Sequence, residues 1–426
     1  MSEIKQTNPS HELNLLISGA GVAGLTAAHF LLRAGHKVTI IEHAQTIRAS
    51  GQNVDVRGHA LTILKQMTAL SFDAYAAVQA KITKEKGLRF VDANDAVWAE
   101  FPVDDGTSFT GEIEIMRGDL ANVLCDSIKD SPGLEMLFER RITGIEETGN
   151  GVKVRMDDES VKEADLLIVA EGIGSATRTI LFGDGANDVV KPLGQWSCWF
   201  SIPYEETDSE WARWYNATKG RMILIRPDRQ NGGLTRVSLW TMTRDFEVEK
   251  TLNSLVRAGP AEQKQYWSKL FHGAGWEAPR VLQAMEKAPD FYMQKVAQVK
   301  IDTWSKGPAV LVGDAACCPS PISGMGVTNA MVGAYVLAGE INRSPGDFSV
   351  ALKAYEDKMR PFVKIAQQLA PGTPGAANPE GAWGIWALHC FLGLIAWIKL
   401  YKLLGSSVNP PSQAMQLPNY GSQIVT

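Results

Sequence analysis

Two periods of apolar spacing divide this chain. Leu13 to Ser18 is an apolar run of strand length bounded by glycine, the pattern of a parallel strand buried on both faces. From Val22 to Ala34 the spacing turns helical, with Leu25, Ala28 and Leu32 on one side and Gly35 punctuating the end. Lys37 to Ile41 is β-rich again and closes on Glu42, which completes a βαβ unit. Ala164 to Ala170 and Ala309 to Val312 are two further buried-strand patterns, ending in Glu171-Gly172 and Gly313-Asp314. From about Lys191 to Lys300 the texture changes. Arg221 to Arg226 and Arg236 to Arg244 alternate polar and apolar residues, as strands covered on one side do. There Val237 and Leu239 point one way, and Ser238, Trp240 and Met242 the other. Near the end, Ile385 to Leu404 forms a 20-residue apolar run, interrupted by His389, Lys399 and Lys402, behind a Gly/Pro-rich loop from Pro371 to Pro379.

A length of 426 residues suggests two or three domains, and 45% hydrophobic with 21% charged residues is ordinary globular composition. A net charge of -5 without a long basic run argues against a nucleic-acid partner. The polar start, MSEIKQTNPSHELN, has no apolar signal core, and the five cysteines are odd in number without Cys-x-x-Cys spacing. Both point to a reducing, cytoplasmic setting. The seven histidines are scattered without metal-ligand spacing, so no metal site is expected. No heptads or other clear interface signal appear, and a monomer is expected.

The glycine loop Gly19-Ala20-Gly21-Val22-Ala23-Gly24 sits between the first strand and its helix. Gly19 permits the tight turn, Gly21 lets backbone approach a pyrophosphate, and Gly24 lets helix and strand pack closely. The helix N-terminus offers N–H groups and a positive dipole end to phosphates. Glu42 follows Gly24 by 18 residues, close to the usual offset of a carboxylate that binds ribose hydroxyls. An acid there repels a 2′-phosphate, so this site is not expected to hold NADP. With Ala170-Glu171-Gly172-Ile173-Gly174-Ser175 and Gly313-Asp314-Ala315-Ala316, the three segments read as contacts to one FAD.

Together these segments resemble the class A flavoprotein monooxygenases, the para-hydroxybenzoate hydroxylase fold, and look closest to the branch of the tetracycline-inactivating and secondary-metabolite tailoring enzymes. The matched motifs run from Leu13 to about Arg343. The resemblance implies that Glu171, with Arg178 beyond it, stands where the family carries an Asp-Gly motif serving FAD and the passing nicotinamide cofactor. Glutamate keeps the charge and reaches one methylene further. It implies that Asp314 binds a ribityl hydroxyl, and that Pro321, Gly324, Met325 and Gly326 carry backbone past the flavin ring. A helix then starts near Val327, and its dipole stabilises the reduced flavin. Where many members have His, this chain has Cys317. Met116-Arg117-Gly118-Asp119-Leu120 resembles the Arg-x-x-Leu segment whose guanidinium lies over the FAD linker. Asp55 resembles the Asp that faces the isoalloxazine, and Arg48 a position linked to the nicotinamide cofactor.

The implied fold class is α/β. A Rossmann-like FAD-binding domain (1–75, 105–190, 300–370) is joined to a mostly antiparallel β-sheet substrate domain (76–104, 191–299) and a C-terminal loop and bridging helix (371–426). That helix is expected to pack across both domains rather than enter a membrane. Five of the twelve tryptophans fall between Trp196 and Trp240, and aromatic faces suit a flat substrate. Phe200, Pro203, Arg221, Met222 and Trp240 are the substrate candidates. In the implied cycle NADPH or NADH reduces FAD and the reduced flavin captures O₂ as a C4a-hydroperoxide. One oxygen then passes to an aromatic or polycyclic small molecule, by hydroxylation or epoxidation. The cofactor supplies the hard chemistry, so no catalytic triad is expected. Two alternatives share the fold: Baeyer–Villiger or oxidase/dehydrogenase chemistry, and a non-enzymatic binding protein that has lost FAD.

Overall fold

Asn14–Ser18 is the middle strand of a five-stranded parallel sheet in a computed structural model that describes residues 12–47, 51–69, 72–83, 85–103, 113–183, 188–228, 232–399 and 411–421. The order is Ala309–Leu311, Leu166–Val169, Asn14–Ser18, Lys37–Glu42, Leu134–Phe138. Ile17 lies opposite Ile168 on one side and Ile40 on the other. The continuous apolar runs follow from this position, since Leu15, Leu16 and Ile17 are all buried with neighbours on both faces. Chain order departs in opposite directions from the first strand. The crevice beyond the carboxyl ends of Ser18 and Val169 is therefore the switch point at which such sheets bind ligands. The helix Val22–Arg33 packs on Gly326–Arg343, in which every residue from Val327 to Ile341 is buried. An antiparallel sheet of Ile142–Thr148, Gly151–Met156 and Val161–Ala164 shares this core.

The second half is a seven-stranded sheet ordered Tyr292–Val299, Val190–Pro203, Leu234–Met242, Arg221–Asp228, Ala212–Ala217, Gly87–Val91, Val97–Pro102. Its pairs are antiparallel except Ala212–Ala217 with Gly87–Val91. The period of two separates its faces. Trp196, Cys198, Phe200, Ile223, Ile225, Val237 and Leu239 form one core with Trp267, Phe271, Val281 and Met285 of the helices Pro260–Phe271 and Ala278–Lys287. Full burial of each large side chain there contributes about 1.5–3 kcal/mol. Trp199, Trp240, Met222 and Tyr292 occupy the opposite face, toward the parallel-sheet half.

The C-terminal apolar run departs from expectation. Its helix spans Ala382–Trp397 and ends where Lys399 adopts a left-handed backbone (φ 53°). It lies on the edge strand Val97–Pro102, with Leu88, Phe90, Phe101 and Ala212 meeting Leu392. Contact with the parallel-sheet half is made instead by the segment 411–421. There Tyr335 Oη donates to the Pro418 carbonyl (3.0 Å), Tyr420 Oη donates to Glu340 (2.6 Å), and the Tyr420 ring leaves no room for a Cβ at Gly339. No helix among the described residues is long and apolar enough to cross a membrane.

Candidate functional site: a glycine-lined nucleotide cleft

The three glycines of the first loop have three different surroundings. Gly19 has φ +108° and donates its N–H to the Ile41 carbonyl (2.8 Å); a Cβ there would lie 2.6 Å from the Ala170 oxygen. At Gly24 a Cβ would lie 2.0 Å from the Gly19 oxygen, so helix and strand touch through this residue. Gly21 is the reverse case: its φ is -86°, and nothing stands within 4 Å of a Cβ. Its openness fits a ligand approaching the backbone. The helix after it has no side-chain cap, which leaves its first-turn N–H groups available to an anion.

Glu42 is held from three sides at the end of its strand. One oxygen accepts the Ala20 N–H (2.9 Å), and the other accepts the Ala44 N–H (2.9 Å) and lies 2.9 Å from His43 Nδ1. Burial alone would raise its pKa; the bonds from His43, Ala20 and Ala44 outweigh this and lower it to about 2. The carboxylate is thus charged at neutral pH and fixed beside the loop, with lone pairs left for hydroxyl donors.

The second segment is turned inward. The Glu171 carboxylate accepts from Ser18 Oγ, Ser175 Oγ (2.7 Å), Thr177 Oγ1 and the Thr177 N–H (3.0 Å). Four donors fill the capacity of a carboxylate, so Glu171 ties the end of the first strand to the loop after Leu166–Val169. Arg178 extends the tie by donating to the carbonyls of Ala315 (3.0 Å) and Ile173 (2.8 Å), which secures the third segment. There Asp314 opens the short helix Asp314–Cys317. Burial raises its pKa, opposed by a Cys318 hydrogen bond and by the Arg117 charge. Cys317 and Cys318 are buried thiols, and burial raises both. Pro321–Ser323 form a single 3₁₀ turn, Gly324 is left-handed (φ 65°), and Met325 caps the 18-residue helix Gly326–Arg343.

These parts enclose a cleft of about 480 Å³, within the range of small-molecule sites. Gly19, Gly21, Glu42, Arg117, Glu171, Gly172, Gly174, Asp314, Gly326 and Val327 line it. Two helix N-termini, at Val22 and Gly326, therefore meet one cavity. Gly172, Gly174, Gly324 and Gly326, like Gly21, have open space where a Cβ would stand. The residues present fit FAD: anion-binding amides, a fixed acid for a ribose, and glycine walls against which flat and phosphorylated groups can lie.

Other expected residues fall elsewhere. Gly24 packs helix on strand, and Pro321, Gly324 and Met325 shape the turn behind Gly326. Gln52 and Val54 line the cleft, whereas Asp55 does not and pairs with Arg57 (3.1 Å), as side-chain alternation along Asn53–Asp55 requires. Arg48 lies outside the described residues. Arg140, Arg141, Thr143 and Asp157 also line the cleft. Nothing in the sequence pattern marked these four, which arrive from the small antiparallel sheet.

Gln52, which lines the cleft, also contacts an aromatic group. Tyr292 hydrogen-bonds Gln52, and Arg117 lies 5.9 Å from the centre of the Tyr292 ring. Trp199 stacks on Tyr292 at 5.0 Å and 12°, and meets Trp240 edge-on at 5.2 Å. Met222 lies beside Trp240 on the next strand. Phe200 stacks instead with Phe291 under the helices. Arg221 donates to the carbonyls of Thr218, Leu270 and His272, and Pro203 is exposed at its strand end. Strand parity, which composition does not record, puts Trp199 and Tyr292 on the sheet face opposite Phe200.

The profile of the FAD binding domain family matches residues 12–370. The chain is 31% identical to the FAD-dependent monooxygenase asL4 of Sarocladium schorii, covering 96% of this chain and 98% of that protein. It is 34% identical to the flavin-dependent monooxygenase eupH of a Phoma species, over 96% and 98%. The crystal structure of tetracycline destructase Tet(51) matches with a TM-score of 0.76 and 28% identity, covering 96% of this chain and 99% of that one. The chain belongs to the FAD binding domain family of class A flavin monooxygenases. It is an FAD-dependent monooxygenase.

Proposed function

We propose that this enzyme uses NADPH or NADH to place one atom of O₂ into an aromatic or polycyclic small molecule held between the seven-stranded sheet and FAD. The second oxygen atom leaves as water, and the nicotinamide supplies the two electrons. Bound FAD supplies the redox and oxygen-transfer chemistry; the chain supplies position, charge and exclusion of water. Gly21 and the first-turn amides would hold the pyrophosphate, Glu42 the adenosine ribose and Asp314 the ribityl chain. The positive end of the Gly326 helix meets the cleft and would favour negative charge on a bound flavin. Glu171 and Arg178 act by positioning these segments.

The observation that carries the substrate class is the Trp199–Tyr292 stack with Trp240 at its edge, tied to the cleft through Gln52. Such rigid rings bury a flat molecule at low entropic cost. The test is NADPH- and NADH-dependent O₂ uptake against a panel of planar ring compounds, with product mass after ¹⁸O₂. Substrate-stimulated uptake and one retained ¹⁸O are expected. A product without added oxygen would establish oxidase or dehydrogenase chemistry instead.

A further inference from the structure

The helix Ala382–Trp397 is apolar all round, and only half of it is covered. No charged residue occurs from Ala382 to Ile398. His389 and Leu392 are buried against the seven-stranded sheet. On the opposite side Trp383 is 80% exposed, Trp386 53%, Phe391 60%, Leu394 54%, Trp397 81% and Ile398 49%. At 3.6 residues per turn these six fall within an arc of roughly 140°. Taking ~200 Å² for a fully exposed large side chain, they present on the order of 750 Å², above the roughly 300–600 Å² of the largest patch on an ordinary monomer.

We infer that this stripe docks the enzyme on the surface of a lipid bilayer, with the helix lying in the plane of the interface. Area alone would also suit a second copy of the chain; the polar groups of the stripe and the charge at its ends fit lipid better. The strong polar groups on the stripe are the three indole N–H donors of Trp383, Trp386 and Trp397, and no acceptor stronger than the Cys390 thiol stands among them. A two-fold contact sets a patch against itself and would bury donors facing donors. A bilayer interface presents acceptors only, ester carbonyls and phosphates, at the depth where tryptophan settles. The flanking charge agrees. Lys399 is exposed at one end; at the other, Arg244 pairs with Glu380 (3.5 Å) and the exposed Lys219 beside them leaves one positive charge in excess. Cations at both ends of an apolar stripe match phosphate headgroups. The helix rests on the sheet and is too short to span, so docking is on the surface and reversible.

The holoenzyme is tested by flotation with phosphatidylcholine and phosphatidylcholine–phosphatidylserine vesicles, beside the triple variant Trp383→Gln, Trp386→Gln, Trp397→Gln. Native mass is measured by light scattering, and retained flavin absorbance reports the fold of the variant. The wild type is expected to float as a monomer, and the variant to partition at least about tenfold more weakly, because binding scales with buried apolar area. Quenching of wild-type indole fluorescence by brominated lipid is expected and should be lost in the variant. A wild type that floats with neither lipid mixture, or a variant that floats equally well, overturns the proposal. So does a wild-type dimer that the three substitutions dissolve, which would assign the stripe to a second copy.

Discussion

Gly21 and Gly24 are both glycines of one loop, yet the structure predicts opposite consequences for replacing them with alanine. At Gly24 the new methyl would stand 2.0 Å from the Gly19 oxygen and 3.2 Å from Ile17 Cγ2. Ordinary contact begins near 3.4 Å, so the helix Val22–Arg33 must move off its strand by more than ~1 Å. Overpacking of this kind against backbone costs about 3 kcal/mol, which at the unfolding entropy of a 426-residue chain lowers the melting midpoint of the apoprotein by roughly 3–4 °C. At Gly21 the methyl meets nothing within 4 Å, and a φ of -86° suits alanine. There the restricted unfolded chain contributes about 0.4–1 kcal/mol, offset by a similar loss of N-cap preference, and the apoprotein midpoint should stay within about 2 °C of wild type. FAD affinity behaves differently. The Gly21 methyl occupies the approach to the pyrophosphate, and a loss of about 1–3 kcal/mol weakens binding by roughly 5- to 150-fold. The assay is thermal unfolding of the two apoproteins beside titration with FAD followed by flavin fluorescence. A Gly21→Ala protein that binds FAD like wild type, or a Gly24→Ala apoprotein that melts like it, would refute this division between ligand space and packing contact.

Three further outcomes follow from the geometry. Glu42 has a folded pKa of about 2 against an ordinary 4.5, so it stabilises the fold above pH 4.5, and that stabilisation is lost as pH falls toward 2. The amount is about 3 kcal/mol, and urea midpoints of Glu42→Gln should vary less across that acid window than those of wild type. Arg226 bonds both Glu85 (2.9 Å) and Glu114, whose side chains are 2% and 4% exposed. Arg226→Met therefore leaves two buried carboxyls without a cation and should cost about 3–5 kcal/mol in chemical denaturation. Trp240→Ala should raise the KM for a ring substrate by roughly tenfold while flavin content stays at the wild-type level; equal loss of flavin would place Trp240 in the fold rather than in the pocket.

The glycine loop was legible in the sequence because its requirements are local. Gly19 needs a positive φ, Gly24 must let two adjacent elements touch, and Glu42 closes the strand that follows. Spacing along a few dozen residues records all three. Alternation likewise announced a sheet with two unlike faces. It could not say which face turns toward the parallel-sheet half: Phe200, expected at the substrate, packs under the helices, and Trp199, one residue and one pleat away, takes the other face. Glu171, expected as a cofactor contact, lines the cleft, and only the fold brings Ser18, 153 residues distant, to its carboxylate. Arg226 likewise acquires Glu85 across 141 residues, and the apolar C-terminal run becomes a half-covered helix only once the edge strand lies beneath it. Backbone conformation and period are set by near neighbours and can be read in order. Burial and the pairing of charge are set by whatever the chain brings back from far away, and only the tertiary structure decides them.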